Sequence, residues 1–416
     1  MQDSIFINRG CVSGKIEAYP SKSYIQRALL LGLLDKNGIE IRNYKCSGDS
    51  DAVFKAVIQL GAKIEIDGDK LKITGTDQFS SCNINCGESG LCLRMLTPVL
   101  ALSEKEYIIS GSESLLGRGN EYISEVFAQA GVKCCLKKDY LTVQGPLKSG
   151  EIYLENPSGS QLVTGLVFAL SKADGDSVIT IKDPVSSPYI KMTAGLLNGF
   201  GAEIYYENEN KIRIRGNRDF IHGVIEIEGD WSSAAFFLVA GAVSGEVTVS
   251  ELNINSLQPD ALIVNYLKAA GASVEIHNDK INIRKSNLNG FDADIKDHPD
   301  LFIPLVILAM NCEGISRIYN FKRLKYKESD RPAAIISELS KAGAKITEET
   351  DHIRIEKSEL CFAELNTYND HRLAMGFAVA ALNSLSGLMI KDIQSVNKSF
   401  PGFFKELGSI IKEKIE

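Results

Sequence analysis

The sequence predicts an α/β (α+β) protein of two domains, assembled from six βαβαββ-like repeat units with three units in each domain. Three observations lead there: the length of the chain, a repeat of about 70 residues that fills it, and one almost wholly apolar helix in every repeat. The 416 residues exceed the roughly 250 to 300 at which a single hydrophobic core stops growing, so two cores and a cleft are expected. With 44% hydrophobic and 24% charged residues, the composition is that of an ordinary globular chain and excludes intrinsic disorder and collagen-like structure.

The repeat is carried by QLGAKIEIDGDKLKITG, QAGVKCCLKKDYLTVQG, GFGAEIYYENENKIRIRG, AAGASVEIHNDKINIRK and KAGAKITEETDHIRIEK, with a shorter ELGSIIKEKIE closing the chain. The marker glycines are Gly61, Gly131, Gly201, Gly271, Gly343 and Gly408, at steps of 70, 70, 70, 72 and 65. Each suits a left-handed helix C-cap, and the two alternating runs that follow, around Asp-Gly, Lys-Asp or Asn-Asp, read as a β-hairpin. Extended segments such as EIRNYK and YIISGS supply further strands.

A second helix precedes each of these endings. RALLLGLL begins at 27, LRMLTPVLAL at 93, SQLVTGLVFAL at 160, SSAAFFLVAGAV at 232, LFIPLVILAM at 301 and HRLAMGFAVAAL at 371. Helices that are apolar nearly all round are buried inside a domain. A solenoid fits less well, because its repeats run to about 20–50 residues and have no separate buried helix.

The balance of 46 Lys and Arg against 53 Asp and Glu, a net charge of −7, speaks against a nucleic-acid or anionic-membrane partner. A small anionic substrate remains compatible with it. The start, MQDSIFINRG, has no basic segment followed by an apolar one, and the longest apolar runs are too short to cross a bilayer, so a soluble cytoplasmic protein is expected. Nine cysteines without a C-x-x-C pair and five scattered histidines predict reduced thiols and no metal site.

The chemically capable residues gather at the starts of the buried helices. Ser21, Lys22, Ser23 and Arg27 open the first, Glu88, Ser89, Gly90 and Arg94 the second, and Ser158, Gly159, Ser160 and Gln161 the third. Asp230, Ser232 and Ser233 open the fourth, Asp297 and Asp300 the fifth, and Asn369, Asp370, His371 and Arg372 the sixth. Any single Ser, Asp or Asn there reads first as an N-cap. Lys22, Arg27, Arg94 and Arg372 differ: a cation near a helix N-terminus opposes the dipole and calls for an anion, so four of them point to a polyanionic ligand. RLKYKESDR at 323–331 adds Arg323, Lys325, Lys327 and Arg331 among Glu328 and Asp330, and SVNKSFP adds Lys398. A solvated charged loop is the alternative reading of that stretch. Arginine forks suit phosphate and carboxylate, and a neighbouring lysine or carboxylate can move protons. GSESLLGRG at 111–119 lacks the Gly-Lys-Ser/Thr ending of a P-loop, so ATP and dinucleotide readings are weak.

The segments PSKSYIQRALLL, GESGLCLRML, SSPYIKMT, EGDWSSAAFFL, DHPDLFIPL, KYKESDR, YNDHRLAMGFA and NKSFPGFF, in order from about residue 20 to residue 404, resemble the 5-enolpyruvylshikimate-3-phosphate synthase family of enolpyruvyl transferases. The resemblance implies a two-domain inside-out barrel that closes around shikimate 3-phosphate and phosphoenolpyruvate, with hinge crossings near residues 13–20 and 226–230. Residues 1–15 then join 229–416 in one domain, and 16–228 form the other. It implies transfer of the enolpyruvyl group to the 5-hydroxyl with loss of phosphate through a tetrahedral intermediate, without cofactor or metal, in a monomer.

Position by position, the resemblance puts Lys22 between both substrates and Ser23 and Arg27 at the shikimate carboxylate. Ser160, Ser186, Tyr189 and Lys327 hold the rest of shikimate 3-phosphate. Gly90, Arg118, Gln161, Arg331, Arg372 and Lys398 line phosphoenolpyruvate. Asp300 accepts the proton of the 5-hydroxyl, and Glu328 with Lys22 serves proton transfer to the methylene carbon. Arg94, His371 and Arg323 are further candidates. The chain departs from the family's usual pattern at Glu88 and Leu91, at Gly159, at Gly119 and at Arg323. Two alternatives remain at this level: a non-catalytic paralogue that binds a phosphorylated metabolite, and a UDP-N-acetylglucosamine enolpyruvyl transferase.

Overall fold

The computed structural model describes residues 3–412, and the chain divides into two compact units. Unit 1 comprises Met1–Ser21 with Glu228–Glu416, and unit 2 comprises Lys22–Ile227. The chain leaves unit 1 after Ser21 and re-enters it at Glu228, and hydrogen bonds hold the segment before Lys22 in unit 1. Strand Cys11–Glu17 pairs in parallel with Glu246–Ser250, and the chain then stays tied to unit 1 through Ala18 N to Ser250 O at 3.1 Å, Asp230 N to Tyr19 O at 2.7 Å and Ser21 N to Glu228 O at 2.9 Å.

Each unit carries three small sheets, and five of the six share one four-strand order. In unit 2, Asn83–Asn85 pairs in parallel with Glu106–Ser110, which pairs antiparallel with Tyr140–Gln144, which in turn pairs with Lys133–Leu136. Glu151–Glu155, Ser177–Lys182, Lys211–Ile214 and Ile204–Asn208 repeat this order. The third sheet has the same form, but its first strand, Gly223–Glu226, comes from the far end of the unit and pairs with Ile39–Arg42. Parallel neighbours require a long crossover, and in the first two of these sheets the apolar helix supplies it. Strands with one face to solvent alternate, as in Lys70–Thr74, where Leu71 and Ile73 are buried and the other three residues are exposed.

In unit 1 the same order recurs in Cys11–Glu17, Glu246–Ser250, Lys280–Arg284 and Ser273–His277, and in Asp292–Asp294, Ile315–Tyr319, His352–Glu356 and Lys345–Glu348. The sixth sheet has three strands: Glu364–Leu365, Leu388–Lys391 and the N-terminal Ser4–Ile7 in place of a hairpin. This corrects the expected last repeat. Gly408 lies inside helix Phe403–Ile410 and is not a left-handed cap, whereas Gly61, Gly131, Gly201, Gly271 and Gly343 all have φ between 72° and 106°. Ile411–Lys412 pairs with Cys11–Val12; the remaining residues of the closing segment lie outside the described residues.

The six buried helices are α1 (Lys22–Leu34), α2 (Gly90–Leu100), α3 (Gln161–Lys172), α4 (Trp231–Ser244), α5 (Phe302–Ala309) and α6 (His371–Ala381). All 14 residues of α4 are buried. The helices lie inside and the sheets outside, giving each unit its own hydrophobic core. Small residues permit the close helix approach: a Cβ on Gly165 of α3 would stand 2.6 Å from Met95 O on α2, and one on Gly376 of α6 would stand 2.4 Å from Ile303 Cγ2 on α5.

Replacing Gly165 by alanine is expected to lower stability by about 1–3 kcal/mol, because the new methyl meets main chain that cannot move aside. Gly199→Ala, with nothing within 4 Å of the new methyl, is expected to raise it by about 0.5–1 kcal/mol. Urea unfolding of both variants checks the opposite signs.

Candidate active site

In unit 2 the N-terminal ends of the three buried helices are joined pairwise by polar contacts. Gln26 of α1 donates to Ser89 Oγ, the N-cap of α2, at 3.3 Å. Arg94 of α2 donates to Gln161 Oε1, at the start of α3, at 2.7 Å. Arg27 of α1 reaches Thr164 Oγ1 of α3 at 3.5 Å. Three helix N-termini, each with roughly half a unit of positive charge, thus converge on one patch, which is electrostatically an anion site.

Arg27 is buried. Its Nε donates to Thr193 Oγ1 at 2.8 Å, its Nη1 to Ser23 O at 2.8 Å and its Nη2 to Tyr189 O at 3.2 Å. These acceptors are neutral, and burial pulls the guanidinium pKa down to about 10 despite the pull of Tyr24 and Tyr189 upward. Arg118 likewise bonds neutral groups, Glu88 O at 3.4 Å and Ser114 Oγ at 3.2 Å. Its buried Nε has no hydrogen-bond partner. Gly90 is the first residue of α2, and a Cβ there would stand 3.0 Å from Arg94 Nη1 and 3.4 Å from Gln161 Oε1. Glycine is what lets this pair sit against the helix end.

Lys22, at the first position of α1, forms an ion pair of 2.8 Å with Asp49 Oδ2 on helix Gly48–Gln59. Ser160 is buried at the N-cap position of α3 and does not cap with its side chain. Ser186, also buried, has φ 56° and ψ 30°, a left-handed conformation costly for a residue with a Cβ, at the entry to helix Ser187–Gly199, where Tyr189 follows.

Unit 1 gathers a cluster of opposite design. Arg331, 1% exposed, donates through Nε to Asp370 Oδ2 at 2.9 Å, through Nη2 to Glu328 Oε2 at 2.7 Å and through Nη1 to Asp300 Oδ1 at 3.1 Å. Burial opposes its charge, but Asp370, Glu328 and Asp300 outweigh that and hold its pKa above the ordinary value. Asp370, wholly buried, also accepts from Ser329 Oγ at 3.0 Å and caps α6 through Arg372 N at 2.9 Å. Two successive left-handed residues, Tyr368 at φ 50° and Asn369 at φ 56°, turn the chain into that cap.

Asp300 also receives Arg372 Nη2 at 2.8 Å and lies 3.9 Å from Lys327 Nζ. Arg372 Nε and Nη1 are buried without a hydrogen-bond partner. Burial pulls Lys327 down to about 8, with Asp300 and Glu328 opposing and Arg331 and Arg323 assisting; the side chain keeps 29% of its exposure, and that contact with water softens the shift. Lys398 is half-buried and donates to Asn369 O at 2.7 Å. His371 is buried, its Nδ1 4.0 Å from Asp370 Oδ1. Arg323 Nη2 donates to the carbonyls of Ile295, at 3.3 Å, and Lys296.

Two of the four helix-start cations thus find carboxylates within the protein, Lys22 with Asp49 and Arg372 with Asp300, so only part of the expected call for an anion is left to a ligand. Sequence reasoning missed Asp49, Thr164, Thr193 and Asn120. A threonine in the otherwise apolar α3 was a usable signal for Thr164; nothing local marked Asp49. Among the described residues, no group of three or more His, Cys, Asp or Glu is placed to hold a metal ion, and no helix is long and apolar enough to cross a membrane.

The fold is shared with solved enolpyruvyl transferases. An EPSP synthase structure from Acinetobacter baumannii aligns with a TM-score of 0.81 at 24% identity, over 99% of this chain and 98% of that one. The enolpyruvyl transferase NikO from Streptomyces tendae aligns at 0.80 and 14% identity, over 98% of this chain and 97% of that one. The family model for EPSP synthase (3-phosphoshikimate 1-carboxyvinyltransferase) matches residues 8–407. A 3-phosphoshikimate 1-carboxyvinyltransferase of Clostridium novyi is 34% identical over 97% of both chains, and one of Brachyspira hyodysenteriae 36% identical over 96% of both. The chain belongs to the EPSP synthase family.

Asp370→Ala is expected to cost roughly 3–5 kcal/mol in urea unfolding, since it strips a buried guanidinium of its main partner. Lys327 has a pH signature of the opposite kind. Its folded pKa lies below its unfolded one, so it destabilises the fold fully below about pH 8, and stability recovers as pH rises toward the unfolded value of roughly 10.4. Lys327→Met is expected to be the more stable protein at pH 7, with the difference shrinking by pH 10; an unchanged difference across that range contradicts the assignment.

Proposed function

We propose that the chain transfers the enolpyruvyl group of phosphoenolpyruvate to the 5-hydroxyl of shikimate 3-phosphate and releases phosphate, as a 3-phosphoshikimate 1-carboxyvinyltransferase. The observation that carries this reading is the family match over residues 8–407, joined to two clusters of buried arginines. Both substrates carry phosphate and carboxylate groups that repel each other. Bringing them together demands fixed, desolvated positive charge before any bond forms.

In this reading Arg27, with Ser23 beside it, takes the shikimate carboxylate, while Ser160, Ser186, Tyr189 and Lys327 take the remaining hydroxyls and the 3-phosphate. Arg118, Gln161, Arg331, Arg372, Lys398 and the Gly90 turn take phosphoenolpyruvate, and Lys22 serves both substrates. The orphaned Nε of Arg118 and Nε and Nη1 of Arg372 support this, because buried donors call for acceptors. Arg94 acts behind Arg118 and Gln161. His371 and Arg323 support the chain around Asp370 and Asp297.

The reaction is an addition followed by an elimination. The 5-oxygen attacks C2 of phosphoenolpyruvate as Asp300 takes its proton, and C3 gains a proton from Glu328, assisted by Lys22. The tetrahedral adduct then loses a C3 proton and inorganic phosphate, which restores the double bond on the product. Arg331 joins Asp300 and Glu328, so one cation sets the distance between the base and the acid. The reading includes a monomer acting in the cytoplasm without a cofactor.

Purified protein given both substrates is expected to release one phosphate per enolpyruvyl transferred, and Asp300→Asn to slow release by about 100- to 10,000-fold, the usual range for a general base. Binding of shikimate 3-phosphate with no phosphate release from the wild type would leave a non-catalytic binding protein.

A further inference from the structure

Behind the arginines of unit 2 stands a buried asparagine. Asn120 has none of its surface exposed and follows Gly119, whose φ of 61° turns the chain after Arg118. Its amide nitrogen donates to Leu115 O at 2.9 Å and Leu116 O at 3.1 Å, carbonyls at the end of the short helix Glu113–Leu116. Its Oδ1 accepts from Arg94 Nε at 2.9 Å. The orientation of the amide follows from chemistry: only the NH2 can meet two carbonyls, so the oxygen must face the guanidinium.

Arg94 passes this constraint on. A guanidinium is planar, so fixing Nε fixes the directions of both terminal nitrogens. Nη2 donates to Arg118 O at 2.7 Å, which steadies the main chain from which Arg118 projects, and Nη1 donates to Gln161 Oε1 at 2.7 Å. With its oxygen engaged, Gln161 leaves its NH2 as the end that can meet an anion. A Gln161 released from Arg94 can flip and present lone pairs to the same anion instead.

We infer that Asn120 is a positioning residue for phosphoenolpyruvate binding: through Arg94 it sets the amide polarity of Gln161 and the placement of Arg118. The inference rests on the assignment of Gln161 and Arg118 to phosphoenolpyruvate made above. It distinguishes the two substrates, because the shikimate contacts of Arg27 run through Thr164, Thr193 and Tyr189 and not through Asn120.

The test uses Asn120→Leu, which keeps the volume and loses the hydrogen bonds, and Asn120→Ala. Steady-state kinetics with each substrate varied should show KM for phosphoenolpyruvate rising about tenfold or more, as expected for losing a hydrogen bond to a charged group. KM for shikimate 3-phosphate should stay within about twofold. NMR of the substrate-free protein should show faster solvent exchange of the Arg94 Nε–H in both variants. A packing role moves neither readout in Asn120→Leu, and an unchanged KM for phosphoenolpyruvate, or an equal rise in both KM values, overturns the inference. A wild type that releases no phosphate overturns the reaction itself and the phosphoenolpyruvate role with it, so the two failures are told apart by the wild-type control.

Discussion

Arg331 is the constraint on which the site in unit 1 depends. Its guanidinium is almost wholly buried and is held by Asp370, Glu328 and Asp300, with every nitrogen donating to a carboxylate. An arginine so buried keeps its charge only because those carboxylates surround it, and they in turn are ordered by it. The left-handed turn at Tyr368 and Asn369, the cap on α6 and the position of Arg372 all follow from where Asp370 must stand to meet Arg331. Asp300 and Glu328, which we propose as base and acid, are both fixed by this one residue.

The two units answer the same electrostatic problem differently. In unit 1, three cations (Lys327, Arg331 and Arg372) share a cluster with three carboxylates (Asp300, Glu328 and Asp370), so charge is largely balanced before any ligand arrives. In unit 2, Arg27 and Arg118 are anchored by carbonyls, hydroxyls and helix ends, which fix their geometry and leave their charge uncompensated. Neutral anchoring suits a group meant to neutralise an incoming phosphate or carboxylate, and carboxylate anchoring suits a group meant to hold proton-transfer residues in place. The net charge of −7 says little about either cluster.

The fold was legible because its signals are local and repeated. The five left-handed glycines from Gly61 to Gly343 and the six apolar helices stand at fixed spacing, and periodicity alone orders them into units. What was not legible depends on distant pairing. Gly223–Glu226 completes a sheet begun at Ile39, and Ser4–Ile7 replaces the missing hairpin of the last repeat; neither short strand carries a mark of its partner. The charged side of the site was readable, because Lys327, Glu328, Arg331, Asp370 and Arg372 lie within two short motifs. The neutral side was less so: Thr193 and Asn120 look like ordinary helix and loop residues until the guanidinium each serves is seen beside it.

The central claim is that the arginines left short of acceptors are the groups that meet the substrates. A crystal structure with shikimate 3-phosphate and phosphoenolpyruvate bound, trapped with an inactive Asp300 variant, tests it most directly. The account predicts a substrate oxygen within about 3.2 Å of Arg118 Nε and of Arg372 Nε or Nη1, with Arg27 on a carboxylate. Substrates bound elsewhere, with those nitrogens still lacking acceptors, would contradict it.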